Sequence, residues 1–439
     1  MSVPDPEFLE RIRRQFDHCP YPSIPVEDSY LEKPDALYIH NIITAFYRCR
    51  RQVVESAGKV ILDAGCGSGF KALGLAHANP GAKIVGVDIS SESIEFAKKR
   101  LQYHGIEDAE FHVLPLEEIE QLGMQFDYIN CDEVLYLLPD QVGGLNAMRS
   151  VLKPEGILRF NLHSLYGRSM MLRSQEAFKR MGLMDNNPEE TEINAVRDTF
   201  DAMHDHVYLK KLTDWNNTGE STESILSNYL LVGDQGFSIS QVFDFLRQAN
   251  LEFLSMVEWR QWDIVSLFKE PDNLPVLWEL ALPEASIEDQ LTLVELFHPI
   301  NRLIDLWCCC PHPPSSPKPL ADWARSDWLQ STMILHPQLQ TQAVQTELER
   351  CITELNPFEI GRFLPKFGAA ALIDSTMAAC VLLPLLQKPC TFLALAERWQ
   401  TLHPVNLITG ASTTPEDAQA AIHSTIQGLE AGGYLLVTP

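Results

Sequence analysis

The chain has 439 residues, 45% apolar and 21% charged, ordinary figures for a globular chain of about three domains. Lys and Arg number 34 and Asp and Glu 59, a net charge of −25. So acidic a chain is unsuited to general binding of phosphate backbones, which needs a Lys/Arg surface, and to anionic membrane surfaces.

The ten cysteines show no framework spacing, so free thiols in a reducing cytoplasm are the expectation. Met1 to Phe16 is acidic, then basic, without the apolar core of a signal peptide. The most apolar stretch, Phe367 to Leu386, carries Asp374 near its middle and Pro384 near its end. Its uncharged part, Ser375 to Gln387, is too short to span a bilayer and reads as a buried helix followed by a turn.

From residue 58 to 165 strand and helix patterns alternate, which implies a parallel sheet covered by helices. Lys59–Asp63 is a short apolar run, followed by a glycine-rich turn, a helix over Phe70 to Asn79, and a turn at Asn79-Pro80-Gly81. Ile84–Asp88 is the next strand. Ser91 is the expected cap of a helix with Ile94, Ala97 and Leu101 on one face. Phe126–Cys131 is a strand, a helix carries Leu145 and Val151, Lys153–Gly156 is a turn, and Ile157–Leu162 is a strand. Residues 170 to 305 read as mainly helical, with one extended piece near Ser227 to Val232, a helix from Phe237 to Ala249 and a strand from Leu251 to Val257.

Trp307 to Leu320 holds five prolines and two serines and reads as a linker. Its Cys308, Cys309, Cys310 and His312 lack the spacing that lets zinc ligands converge, and His204, Asp205 and His206 read as a solvated loop; no metal is expected. Beyond the linker come helices over Phe392–Gln400 and from Thr414, stopped by Gly432-Gly433, and a strand over Tyr434–Val437, a winged-helix-like pattern. Arg398 is the only basic residue from Pro389 on, against Glu397, Glu416, Asp417 and Glu430, so interaction or homodimerisation is expected there, not DNA binding.

The motif with chemical meaning is Val60-Ile-Leu-Asp63-Ala-Gly65-Cys66-Gly67-Ser68-Gly69. Glycines between a buried strand and a helix let a ligand approach the backbone. A dinucleotide fingerprint would put its third glycine where Phe70 stands, which weakens a pyrophosphate reading. Asp88 ends the next strand, where a carboxylate accepts hydrogen bonds from ribose hydroxyls. Turn and carboxylate together specify a ribose-bearing ligand at the carboxyl edge of a parallel sheet.

With Val87-Asp88-Ile89-Ser90 and Leu152-Lys153-Pro154-Glu155-Gly156, this motif resembles the class I S-adenosylmethionine-dependent methyltransferases over about residues 58 to 165. The resemblance implies an α/β fold with a Rossmann-like seven-stranded methyltransferase sheet, to which the patterns above add a mainly helical middle domain and a small α+β winged-helix-like C-terminal domain. It implies S-adenosyl-L-methionine as cofactor. Asp63 with Gly65, Cys66, Gly67 and Gly69 would hold its methionine end, Asp88 its ribose, and Ile89 and Leu116 the two faces of its adenine. Pro115 stands where the family often has an acid for the adenine amino group, leaving that contact to Glu117 or a backbone carbonyl. Cys131 and Asp132 would lie near the methyl group. Segments from Phe126 to Arg168 are similar to bacterial methyltransferases often fused to tetratricopeptide repeats, which this chain lacks. Phe16-Asp17 and Pro20-Tyr-Pro-Ser-Ile-Pro25 are similar to the opening of bacterial multidomain methyltransferases with appended domains, a group that includes protein lysine methyltransferases.

The expected division is a lid over 1–55, the cofactor core over 56–170, a helical region over 171–306 completing core and acceptor site, the linker 307–320, and an interaction domain over 321–439. Tyr21, Glu133, Tyr136, His163 and Tyr166 are the acceptor-site candidates. An amine must lose a proton before attack, which a carboxylate, tyrosine or histidine assists, and tyrosines pack around methylated ammonium groups. Four of them have a plain alternative: Tyr136 or His163 as core, Tyr21 as a pin for the chain, Glu133 as a helix-start acid. The leading function is methyl transfer to a protein side chain such as lysine; the alternatives are a small-molecule methyltransferase and a non-catalytic cofactor-binding scaffold.

Overall fold

Strands β1 (Val60–Ala64), β2 (Lys83–Asp88) and β4 (Phe126–Cys131) are buried along most of their length, as strands covered on both faces must be. In the computed structural model they form the middle of a seven-stranded sheet with β3 (Ala109–Val113), β5 (Leu152–His163), β6 (Glu252–Met256) and β7 (Leu303–Cys309), in the order β3-β2-β1-β4-β5-β7-β6. The first five strands run parallel; β7 enters antiparallel between β5 and β6. Strand order reverses at β1 and β4, and in open α/β sheets ligands bind in the crevice beyond the carboxyl ends at such a point. The structure describes residues 6–18, 21–213, 215–218, 221–311, 318–366, 371–406 and 410–439. Pro20, His312 with the proline- and serine-rich 313–317, and the head of the apolar stretch at 367–370 lie outside them.

The chain forms two compact units: residues 1–29, 57–76 and 80–312 make one, and 30–56, 77–79 and 313–439 the other. Residues 1–55, expected as one lid, are therefore divided. Helix α1 (Pro6–His18) belongs with the sheet, whereas Pro34–Arg50 belongs with the C-terminal unit, where Ile43 and Tyr47 pack with Leu436 and Tyr38 Oη donates to Gly433 O at 3.0 Å. Along the first unit α2 (Phe70–Ala78), α3 (Ser91–Tyr103) and α4 (Gln141–Val151) alternate with strands, and α5 (Ser169–Arg180), α6 (Glu190–Ala202), α7 (Ile239–Gln248), α8 (Val276–Ala281) and α9 (Ile287–Phe297) follow.

Three further expectations are corrected. Trp307, Cys308 and Cys309 are fully buried in β7, not part of a linker, because the sheet needs an apolar strand between β5 and β6. Lys153–Gly156 is a bulged part of β5: Phe126 faces Leu152, yet Tyr128 faces Ile157. Ser227–Val232 is not extended. Helix Thr222–Asn228 runs into it, capped by Ser221 and anchored by Ile225 and Leu226 in a separate aromatic cluster with Phe200, Trp215 and Tyr229.

The second unit has its own three-stranded antiparallel sheet, Thr332–Leu335 between Cys390–Thr391 and Leu435–Thr438. Helices Phe392–Leu402 and Pro415–Ala431 form as the sequence indicates, the latter with Thr414 and Asp417 in a capping box. Ser375–Gln387 is helical, with a π turn over Ala378–Leu382 just ahead of Pro384, whose missing N–H an α-helix interior would not accommodate. Among the described residues no helix is long and apolar enough to cross a membrane.

Candidate active site

β1 delivers the chain into the turn Gly65–Gly69. Gly65, Gly67 and Gly69 have φ of 78°, 50° and 77°, the left-handed region that favours glycine. The space is also taken: a Cβ at Gly67 would stand 2.2 Å from the Tyr21 carbonyl oxygen, and one at Gly69 2.6 Å from Ala97 Cβ. The turn is tied to β2. Gly65 N and Cys66 N donate to Val87 O, and Asp88 accepts from Gly67 N and Ser90 N, both at 2.9 Å. An ionised carboxylate has about four acceptor positions, so Asp88 keeps capacity for further donors. Burial raises its pKa, as it does that of the Cys66 thiol.

The N-terminal segment lies across this turn. Tyr21 O accepts from Ser68 N at 3.0 Å and Pro22 O from Ser68 Oγ at 2.8 Å. The buried Arg100 donates to Ile24 O and Pro25 O at 2.6 and 2.7 Å. A cavity of about 310 Å³ remains there, lined by Pro22, Ser23, Ile24, Pro25, Ser68 and Phe96.

A row of buried polar groups crosses the sheet. Asn130 donates to Asp63 Oδ1 at 2.9 Å; Arg159 donates to Asn130 Oδ1 at 3.2 Å and to both oxygens of Asp305 at 3.0 and 2.7 Å. Asp63 Oδ2 is buried and has no hydrogen-bond partner among the described residues. Burial pushes the Asp63 carboxyl up to about 7; Asn130 and Lys71 oppose this, and Asp132 and Asp88 add to it. Asp132 pairs with Lys71 Nζ at 2.6 Å and accepts from Asn161 Nδ2 at 2.6 Å. Three carboxylates thus end β1, β2 and β4. Such a set suits a sulfonium cation that also carries an ammonium group, and Asp63 Oδ2 is an open acceptor for it. Cys131 is buried at the end of β4, Ile89 and Pro115 are half-buried, and Leu116 is buried.

One residue on, Glu133 has φ of 65°, a strained position for a residue with a Cβ, held by its N–H donating to Asn161 Oδ1 at 2.8 Å. Tyr136 Oη donates to Glu133 Oε2 at 3.1 Å, Arg302 grips both carboxylate oxygens, and His163 Nε2 lies 3.5 Å away. Burial would raise the Glu133 pKa, but His163 and Arg302 hold it at about 2. His163 Nδ1 sits 2.6 Å from Asp234 Oδ1, and Asp234 in turn accepts from Arg168 at 3.1 Å and Gln175 at 2.7 Å. The Tyr136 ring stacks on His163 at 3.7 Å. Burial raises the phenol pKa of Tyr136 strongly and that of Tyr21 as well, so both stay protonated.

The structure therefore brings Glu133, Tyr136 and His163 into one network, with Tyr21 close enough to sense Glu133, Arg302 and Lys71. Tyr166 is 42% exposed on the loop after β5 and adds no side-chain hydrogen bond to it among the described residues. Sequence reasoning missed Lys71, Asn130, Arg159, Asn161, Asp234 and Arg302. Arg159, Asn161 and His163 could have been found, since polar residues at every second position of an apolar strand share one face. Asp234 and Arg302 join His163 across 71 and 139 residues, and nothing local marks them.

Residues 55–225 match a methyltransferase domain model. An uncharacterized protein of a Synechococcus strain is 26% identical over 75% of this chain and 76% of its own. The ubiquinone biosynthesis O-methyltransferase of Actinobacillus pleuropneumoniae is 33% identical, but over only 24% of this chain and 45% of its own length. The solved structure of PKMT2 from Rickettsia typhi aligns over 94% of this chain and 76% of its own with a TM-score of 0.58 at 18% identity, and a complex of PKMT2 with AdoHcy aligns similarly. Sheet order, glycine turn and the domain match make residues 55–225 a class I S-adenosylmethionine-dependent methyltransferase domain.

Proposed function

We propose that the chain transfers the methyl group of S-adenosylmethionine to a nitrogen on a protein, a lysine side chain. The bound cofactor supplies an electrophilic methyl group for in-line displacement, so the protein mainly aligns the acceptor and keeps water out. The observation that carries the reading is the network at the ends of β4 and β5. Glu133, kept ionised by His163 and Arg302, and Tyr136, which donates to it, set a paired carboxylate and an aromatic ring side by side where the acceptor amine would enter. The attacking nitrogen needs its lone pair and must shed a proton. Tyr21 and Tyr136, kept protonated by burial, serve as aromatic walls. His163, held between Asp234 at Nδ1 and Glu133 and Arg302 at Nε2, is the proton acceptor in this reading. The likeness to PKMT2 adds support, because it extends over both units of this chain.

The test uses cofactor labelled in its methyl group, a cell lysate, and separated protein and small-molecule fractions. Label is expected in protein and, after hydrolysis, in methylated lysine; Asp88→Ala is expected to abolish it. His163→Asn should lower kcat by about a hundredfold, the scale of a lost general base, with cofactor affinity unchanged. Label only in small molecules would make this a small-molecule methyltransferase, and none in either, with cofactor bound, a scaffold.

A further inference from the structure

Helices α8 and α9 and the segment after them leave large apolar side chains outside the core. Val276, Leu277 and Leu280 on α8, with Leu296, Phe297 and Ile300, are between 55% and 76% exposed. Positions 276, 277 and 280 share one helix face, and Trp278 contacts Phe297 with ring centroids 5.9 Å apart, which joins the two elements into one ridge. Exposed leucines standing singly are common, but a joined group marks a binding surface. The ridge runs into the active site. Ile300 precedes Arg302, which grips Glu133, by two residues. Ser164 N donates to Arg302 O at 2.9 Å, and a Cβ on Gly167 would stand 1.9 Å from Asn301 O, so this segment is fixed to the loop that carries Tyr166.

Charge selects the occupant. From Glu270 to Ile300 there is no Lys or Arg; Glu270, Asp272, Glu279, Glu284 and Asp289 are exposed, whereas Glu295 is buried and Glu288 pairs with Arg247. An anionic lipid surface is repelled by such a rim. A second copy in a two-fold contact would set the same acidic rim against itself. An apolar face bordered by Lys and Arg is complementary to it. We propose that the ridge docks the acceptor protein through such a face, with the target lysine entering past Arg302 toward Glu133. This rests on the lysine-acceptor reading above.

The experiment compares the full chain with its Leu277→Asp/Leu280→Asp variant, using methyl-labelled cofactor and lysate. Leu277→Ser/Leu280→Ser replaces it should the charged pair prevent folding. The variant is expected to lose at least about tenfold in protein labelling, the scale of truncated interface anchors, with S-adenosylhomocysteine affinity by calorimetry unchanged and with both proteins at the same mass by light scattering. Equal labelling by the two proteins would overturn the ridge proposal alone. A wild type of twice the chain mass that the variant reduces to one copy would assign the ridge to self-association and overturn it. Flotation of the wild type, but not the variant, with phosphatidylglycerol vesicles would overturn it in favour of lipid. No protein label from the wild type would overturn the acceptor reading and this proposal with it.

Discussion

Asp63 is a carboxylate in the core with one side-chain donor for its two oxygens. Burial lifts it from an ordinary 3.8 to about 7. Between those values the folded chain holds a proton that the unfolded chain has released. The stability this group contributes is therefore full below about pH 4 and lost as pH rises through about 7. A cation placed against the open oxygen favours the charged form and draws the proton off. Affinity for S-adenosylmethionine should thus rise with pH up to about 7 and level off above it. Below that point it should fall by as much as about tenfold per unit, the limit for one coupled proton. Calorimetry between about pH 6 and about pH 8 measures this, with proton release read from buffers of different ionisation heat. Asp63→Asn should flatten the curve; a wild type already flat would remove Asp63 from the cofactor site.

At the scale of elements, the turn between β1 and α2 is set by backbone strain and by close packing, and two glycines separate these. Gly69 has φ of 77°, and a methyl group on it would stand 2.6 Å from Ala97 Cβ, whereas Gly58 has φ of 74° and open space within 4 Å. Gly58→Ala should cost only the left-handed conformation, about 1–2 kcal/mol. Gly69→Ala adds overpacking of about 1–3 kcal/mol, so its Tm should fall by several degrees more. Thermal scans of the two variants decide; equal losses would mean that α3 yields freely at Ala97. The turn was legible because strand, glycines, helix and Asp88 are local. β1, β2 and β4 were legible as apolar runs. β3 was not, since at the sheet edge it alternates with Glu110 and His112 and buries little. β7 was not either: Asp305 interrupts its apolar run, and the prolines after Cys310 drew its end into a linker. The carboxylate of Asp305 makes sense only with Arg159 opposite, a partner 146 residues away. The same holds for the network at the ends of β4 and β5: Glu133 and His163 stood out as candidates, but Arg302 and Asp234, which hydrogen-bond to them from far along the chain, did not.

At the scale of the whole molecule the −25 is unevenly spread. Residues 1 to 319 hold 28 basic and 48 acidic residues, net −20, and residues 320 to 439 hold 6 and 11, net −5. Most of the negative charge therefore belongs to the stretch that carries the cofactor site, the Glu133 network and the apolar ridge. A field of one sign around a cleft raises the encounter rate of an oppositely charged partner, and salt removes that gain once the Debye length shrinks below about 10 Å. A lysine-bearing protein acceptor should feel this at subsaturating concentration. S-adenosylhomocysteine, which has no net charge, should not. The initial rate of protein methylation is thus expected to fall by about tenfold between about 20 mM and about 500 mM sodium chloride, while affinity for S-adenosylhomocysteine changes by less than about twofold. Stopped-time labelling and calorimetry across the same salt series measure both. A rate indifferent to salt would mean that the acidity serves neither acceptor capture nor the rim of the ridge, and that contact between apolar faces alone brings the acceptor to Glu133.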